Sequence, residues 1–173
     1  IYFRSNRRGI NTFWVKSASD GRPEQLFFER TGADSASLIG TSISADGSRA
    51  LFTTTGKESS FDVWQLSLAS SPAAAPVLNG PFNESQAAFS PDSRWIAFTS
   101  DETGVQQVYV QSFPGGERRQ QVSSSGGSDP QWRADGRELY FLDDGATLMA
   151  APIDADRVGD PVPLFRTRVP VTG

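Results

Sequence analysis

The chain has no cysteine and no histidine among its 173 residues. Without cysteine it can form no disulfide, no thiolate metal site and no thiol nucleophile. Without histidine it loses the commonest general base and transition-metal ligand, and a Ser-His-Asp triad cannot be built. Lysine is almost missing as well: Lys16 and Lys57 stand alone, and arginine supplies the rest of the 16 cationic side chains. The net charge is −4 and the pI about 4.8, so there is no basic face of the kind nucleic acid requires. There is no apolar run of about 18 residues to insert into a membrane, no charged-then-apolar leader, no Gly-x-Ser-x-Gly elbow and no Gly-x-x-x-x-Gly-Lys loop. No helical period of useful length is present.

What the chain does have is a repeat. It reads Ala45-Asp46-Gly47-Ser48-Arg49-Ala50-Leu51-Phe52, then Pro91-Asp92-Ser93-Arg94-Trp95-Ile96-Ala97-Phe98, then Ala134-Asp135-Gly136-Arg137-Glu138-Leu139-Tyr140-Phe141, with a shortened copy at Ile1-Tyr2-Phe3-Arg4. The equivalent phenylalanines Phe3, Phe52, Phe98 and Phe141 are 43 to 49 residues apart. A period in the forties made of strands and turns predicts an all-β β-propeller of four-stranded antiparallel blades. Asp-Gly between apolar runs is a hairpin signal, because glycine accepts positive φ without a Cβ clash. Gly47 and Gly136 satisfy it, and Ser93 departs from it.

Each full unit divides into strands A to D. Strand A is expected at 41–44, 87–90 and 130–133, strand B at 1–4, 49–53, 95–100 and 138–142, and strand C at 13–15, 63–66, 108–110 and 148–150. Strand D is weaker, at 25–29, 76–78, 120–123 and 163–165. B and C are near-continuous apolar runs, as expected where both faces of a sheet are covered. The units are a partial blade over 1–30 that lacks its inner strand, blades over 36–79, 84–123 and 127–166, and a tail over 167–173. Three closures stay open: part of a larger ring, which is preferred; two copies completing one ring as a homodimer; or a four-bladed ring closed by the tail, against which Pro170 argues because it cannot donate within a ladder.

These residues resemble the TolB-like, or WD-like, propeller repeat. The third unit carries the likeness best, in Ser90-Pro91-Asp92-Ser93-Arg94, Ile96-Ala97-Phe98-Thr99-Ser100 and Val108-Tyr109-Val110. Departures are Ser93 for Gly, Arg133 for Ser, and a shortened B–C loop at 143–147. The resemblance implies a non-enzymatic module that acts as a sensor or scaffold, needs no cofactor and binds a protein or small ligand at one rim, in a periplasmic or extracellular setting. Residues 108–116 and 138–142 look most like propellers attached to bacterial membrane-anchored Ser/Thr kinases. The alternative is the accessory gating propeller of a prolyl-oligopeptidase-like peptidase, with the catalytic domain elsewhere.

Candidate residues follow from position. Asn83, Glu84, Asp101 and Asp129 fall in D–A or B–C connections, where rim loops are exposed and bind partners. Asp101-Glu102 and Asp143-Asp144 read as ordinary polar loops rather than acid–base pairs, and a Ser–Lys dyad through Lys16 or Lys57 is not favoured. Asp154-x-Asp156 with Asp160 reads as a solvated turn, because Val158 stands where a calcium loop needs a ligand. Arg4, Arg7 and Arg8 read as a solvated cluster. Ile43, Phe89 and Trp132 share one strand-A position and are expected in the core, together with Trp14, Trp64, Trp95 and Tyr109. On that reading Trp132→Ala costs about 3–5 kcal/mol, and Ser93→Gly is neutral or stabilising if the turn needs positive φ.

Overall fold

The computed structural model describes residues 1–7, 12–29, 39–55, 61–154 and 157–168. Four antiparallel sheets follow one another along the chain. Blade 1 holds β1 (Tyr2–Ser5), β2 (Thr12–Val15) and β3 (Gln25–Phe28). Blade 2 holds β4 (Ile39–Ile43), β5 (Arg49–Thr54), β6 (Asp62–Ser67) and β7 (Ala74–Leu78). Blade 3 holds β8 (Glu84–Phe89), β9 (Trp95–Ser100), β10 (Gln107–Ser112) and β11 (Arg119–Gln121). Blade 4 holds β12 (Ser128–Trp132), β13 (Glu138–Leu142) and β14 (Thr147–Asp154), with β15 (Arg157–Val158) and β16 (Val162–Arg166) both paired to β14. The chain is therefore an all-β, four-blade propeller arc. Lys57, Arg8, Asp156 and Pro170 lie outside the described residues, as do the loop over 31–37 and most of the tail.

The repeated turn explains its own sequence. Asp46, Asp92 and Asp135 each accept, through Oδ1, the backbone N–H two residues on, at 3.0, 3.1 and 3.0 Å. Ser44 and Ser90 hydroxyls donate to the same aspartates at 2.6 and 2.7 Å and accept the N–H that opens the next strand. These bonds, led by the one from Ser44, hold the Asp46 carboxyl down to about 2. The residue after the aspartate is left-handed in every copy: Gly47 at φ +69°, Ser93 at +57° and Gly136 at +72°. Ser93 tolerates this at a cost but adds something glycine cannot. Its Oγ accepts the Ala45 N–H of the neighbouring blade at 2.8 Å. Ser93→Gly thus exchanges strain relief for a lost hydrogen bond, each about 1 kcal/mol, and is expected to be near neutral. Ser93→Ala loses the bond and keeps the strain. It should destabilise by about 1 kcal/mol in urea melts, and an unchanged midpoint would contradict the cross-blade bond.

Apolar side chains fill the spaces between blades. Phe13, Phe52 and Leu66 join blades 1 and 2, with Phe13 edge-on to Phe52 at 5.7 Å. Leu51, Val63, Phe89, Ile96, Phe98 and Tyr109 join blades 2 and 3. Ala97, Val108, Val110, Leu139 and Phe141 join blades 3 and 4. First strands sit side by side, β4 against β8 and β8 against β12, with the Phe89 N–H donating to Ser42 Oγ at 3.0 Å. The first strands therefore line the axis of the arc.

Two core expectations need correction. Phe89 is buried, but its equivalent Ile43 is 49% exposed. Blade 1 offers no described strand on that side, and a cleft of about 440 Å³ lies between blades 1 and 2, lined by Tyr2, Phe3, Phe27 and Ile43 among others. The four tryptophans are half-buried rather than core, and Tyr109, grouped with them, is fully covered. Trp14 lies under the Arg7 guanidinium at 4.1 Å and donates to Thr12 Oγ1 at 2.8 Å. Trp132 packs on the blade 3–4 cluster and donates through Nε1 to the Ala88 carbonyl at 3.1 Å. Half-burial trims the transfer loss, so Trp132→Ala is expected to cost about 2–3 kcal/mol rather than the full-burial figure. A loss below about 1 kcal/mol in urea denaturation would remove Trp132 from the inter-blade contact.

Candidate functional site

At the rim made by the B–C connections and the starts of the first strands, the structure gathers carboxylates. Asp62, Glu84, Asp101, Glu102, Asp129, Asp143 and Asp144 all belong to this end of the arc. Three of the four sequence candidates meet in blade 3. Asn83 donates from its backbone N–H to Asp101 Oδ1 at 2.8 Å and from Nδ2 to Asp101 Oδ2 at 2.6 Å. Its Oδ1 accepts the Phe61 N–H at 3.2 Å, and the Glu84 N–H reaches the Phe61 carbonyl at 3.0 Å. One asparagine thus ties the B–C loop of blade 3 to the opening of β6 in blade 2.

Glu84 is not the exposed loop residue that its position suggested. It opens β8, is 3% exposed, and its Oε2 has no hydrogen-bond partner among the described residues. Burial pushes its carboxyl up to about 7; Arg119 pulls the other way, while Asp62, Asp101 and Glu102 add to the upward push. An acid so placed is divided between charged and neutral forms near neutral pH. Arg119 arrives from the outer strand β11, lies over the rings of Phe98 and Tyr109 at 4.9 Å each, and ion-pairs with Glu102. A cation stretched across two aromatic faces is held where it balances part of the acidic rim.

Asp129, the fourth candidate, lies one blade on, inside β12, and is half-buried. Gln86 reaches it from β8. Gln86 Nε2 donates to Asp129 Oδ1 at 2.7 Å, and Asp129 N–H donates to Gln86 Oε1 at 2.9 Å. Both residues have φ +54° at equivalent register breaks, between Ser85 and Ala88 and between Ser128 and Gln131. Two non-glycine residues in the left-handed region, on adjacent axial strands and bonded to each other, are costly backbone features of the kind that collects at binding sites. Thr99 adds an Oγ1 donor to Gln86 Oε1 at 3.2 Å. Sequence reasoning missed Gln86 and Arg119. A neutral glutamine in a weak strand gives no signal, and nothing in a linear reading sends an outer-strand arginine across the sheet face.

The remaining candidates are placed plainly. Asp143 Oδ1 accepts the Thr147 N–H at 2.7 Å, and Asp144 packs over Gly126, whose lack of a Cβ makes room for the carboxylate. Asp154 ends β14 opposite Arg157, and Arg7 pairs with Glu24. Among the described residues no group of three or more carboxylates is arranged to hold a metal ion. The arrangement offers hydrogen-bond acceptors and negative charge around the axis.

No protein-family model matches the chain, and no curated protein matches it. Solved structures do. TolB from Acinetobacter baumannii superposes with a TM-score of 0.71 at 20% identity, over 97% of this chain and 41% of that one. A protein described as TolB from Agrobacterium tumefaciens gives 0.74 at 19% identity, over 95% and 60%. A prolyl endopeptidase gives 0.63 at 14% identity, over 91% and 23%. The chain spans less than two thirds of each. At these identities the likeness establishes the fold, a β-propeller segment similar to those of TolB and of peptidases.

Proposed function

We propose that this chain is a non-enzymatic binding segment of a β-propeller, and that its acidic rim receives a partner carrying cationic side chains. The observation behind this reading is the axial pair Gln86–Asp129 beside the Asn83–Asp101 clamp and buried Glu84: polar groups held in strained or desolvated positions at one end of the arc. The missing histidine and cysteine favour binding over catalysis, since the usual base and the thiol nucleophile are gone. The rim carboxylates would attract a basic surface and orient it before contact. The likeness to TolB supports a periplasmic setting, in which the segment would act as a sensor or scaffold. Attachment to a membrane-anchored Ser/Thr kinase is the finer form of this reading.

A second reading rests on the fold shared with the prolyl endopeptidase. Here the segment would filter substrate for a hydrolase domain, which predicts a Gly-x-Ser-x-Gly elbow elsewhere in the full protein. A photo-crosslinking residue at Thr103, on the acidic rim, separates rim binding from its failure when compared with one at Ser71 on the opposite rim. Rim binding predicts a defined adduct from Thr103 that is lost in Asp101→Asn/Glu102→Gln. Equal capture at the two positions, or none from Thr103, would sink it.

A further inference from the structure

Blades 3 and 4 leave a groove at the rim opposite the carboxylate cluster. Two cavities of about 300 and 240 Å³ run into one another there, sharing Trp95, Trp132 and Ile153. Trp95 opens β9 on the same face as Ala97, turned toward blade 4, and Trp132 closes β12. Both indoles are half-buried. The Nε1–H of Trp132 is spent on the Ala88 carbonyl, which fixes the ring without covering it. Gln120 sets the outer wall: its Nε2 donates to the Val158 carbonyl at 3.0 Å and its Oε1 accepts the Val158 N–H at 3.4 Å. A side-chain amide here takes the place of a strand between the two blades.

The charge on this groove runs against that of the chain. Arg118, Arg137 and Arg157 line it. The Arg137 carbonyl accepts the Ile153 N–H at 2.8 Å, and Arg157 stands across from Asp154, so these two arginines flank Ile153. Neither Arg137 nor Arg157 forms an ion pair among the described residues. The nearby carboxylates are occupied: Asp92 by Ser90 and Arg94, Asp135 by Arg133 and the Arg137 N–H, and Glu117 by the Ser112 hydroxyl at 3.5 Å. What remains is the positive charge of Arg137 and Arg157 beside the half-buried indoles of Trp95 and Trp132.

We propose that this groove binds a short extended acidic peptide segment, with an aromatic or aliphatic side chain between Trp95 and Trp132 and flanking carboxylates on Arg137 and Arg157. Guanidinium–carboxylate pairing gives direction, and an indole pair gives a large apolar contact at low entropic cost. The combined volume suits one side chain with its neighbours, within the usual range for small sites.

The test is a titration of the ¹⁵N-labelled chain with acetyl-Glu-Phe-Glu-amide, read at the indole N–H signals of Trp95 and Trp132. Both should shift and saturate. Arg137→Ala/Arg157→Ala should weaken binding by about tenfold or more, as should raised salt. Acetyl-Glu-Ala-Glu-amide and acetyl-Lys-Phe-Lys-amide should move neither signal to saturation. No saturable shift with the acidic peptide, an equal response to the lysine peptide, or full affinity in the double variant would each overturn the proposal. If the double variant melts early, Arg157→Ala alone, on an exposed hairpin, decides the matter by a severalfold loss or none.

Discussion

Phe98→Ala is expected to destabilise the chain by about 4 kcal/mol. Phe98 is wholly buried in the middle of β9 and belongs to the cluster that closes blade 2 on blade 3. Its ring stacks on Tyr109 at 5.8 Å, with the Arg119 guanidinium 4.9 Å from its centre. Truncation removes the transfer free energy of the ring and leaves a hole that four strands per blade cannot close. It also takes away one of the two faces that hold Arg119 toward Glu102. Urea denaturation followed by tryptophan fluorescence measures the loss. A cost under about 1.5 kcal/mol would mean the blade 2–3 contact relaxes freely, contrary to its packing.

The second large effect is pH-dependent and comes from Glu84. Its folded-state carboxyl titrates at about 7, against an ordinary value of 4.5. Below pH 4.5 the carboxyl is protonated whether the chain is folded or unfolded, so it carries no penalty. Between 4.5 and 7 the unfolded chain releases the proton and the folded chain keeps it, so stability falls as pH rises. Above 7 the folded chain bears a buried, incompletely paired charge at full cost, on the order of 2–3 kcal/mol. Glu84→Gln removes the charge and keeps the shape. It should leave the urea midpoint unchanged at pH 4 and raise stability by about 2 kcal/mol at pH 8. A variant that loses stability at pH 8 but not at pH 4 would show that Glu84 is held by bonds to its ionised form instead.

Much of this fold is legible in the linear sequence, for reasons that lie in the turn. Ser-x-Asp followed by a small or left-handed residue makes a closed set of hydrogen bonds, and this marks where strand A ends and strand B starts. The B strand at 95–100 accordingly falls where expected, and so does that at 138–142, where Arg133 replaces the serine and Asp135 still closes the turn. The first strands begin earlier than expected, because Glu84-Ser85-Gln86 and Ser128-Asp129 have little β propensity. They are held by neighbours across the axis rather than by their own pattern. The pair β15 was also unexpected, since two residues carry no period. Burial is less legible than strand position: the repeat gives Ile43 and the tryptophans equivalent places, but burial depends on what the adjacent blade supplies. The same limit applies to the site. Asn83, Glu84 and Asp101 could be picked as neighbours in loops, yet the desolvation of Glu84 and the left-handed backbone at Asp129 are properties of the assembled arc.

The cross-blade bonds have a consequence for how the arc comes apart. Blades 2 and 3 are fastened through Ser42 to Phe89, Ser93 to Ala45 and Glu84 to Phe61. Blades 3 and 4 are fastened through Gln86 to Asp129, Trp132 to Ala88 and Gln120 to Val158. Blade 1 meets blade 2 through aromatic packing beside an open cleft. In a linear array, cooperativity passes only through such junctions. The last three blades should therefore exchange their amide protons as one slow unit, and β1–β3 should exchange sooner and on their own. The arc would then behave as a rigid body with one loosely coupled leaf, and a ligand seated between blades 3 and 4 would stiffen the part that is already stiff.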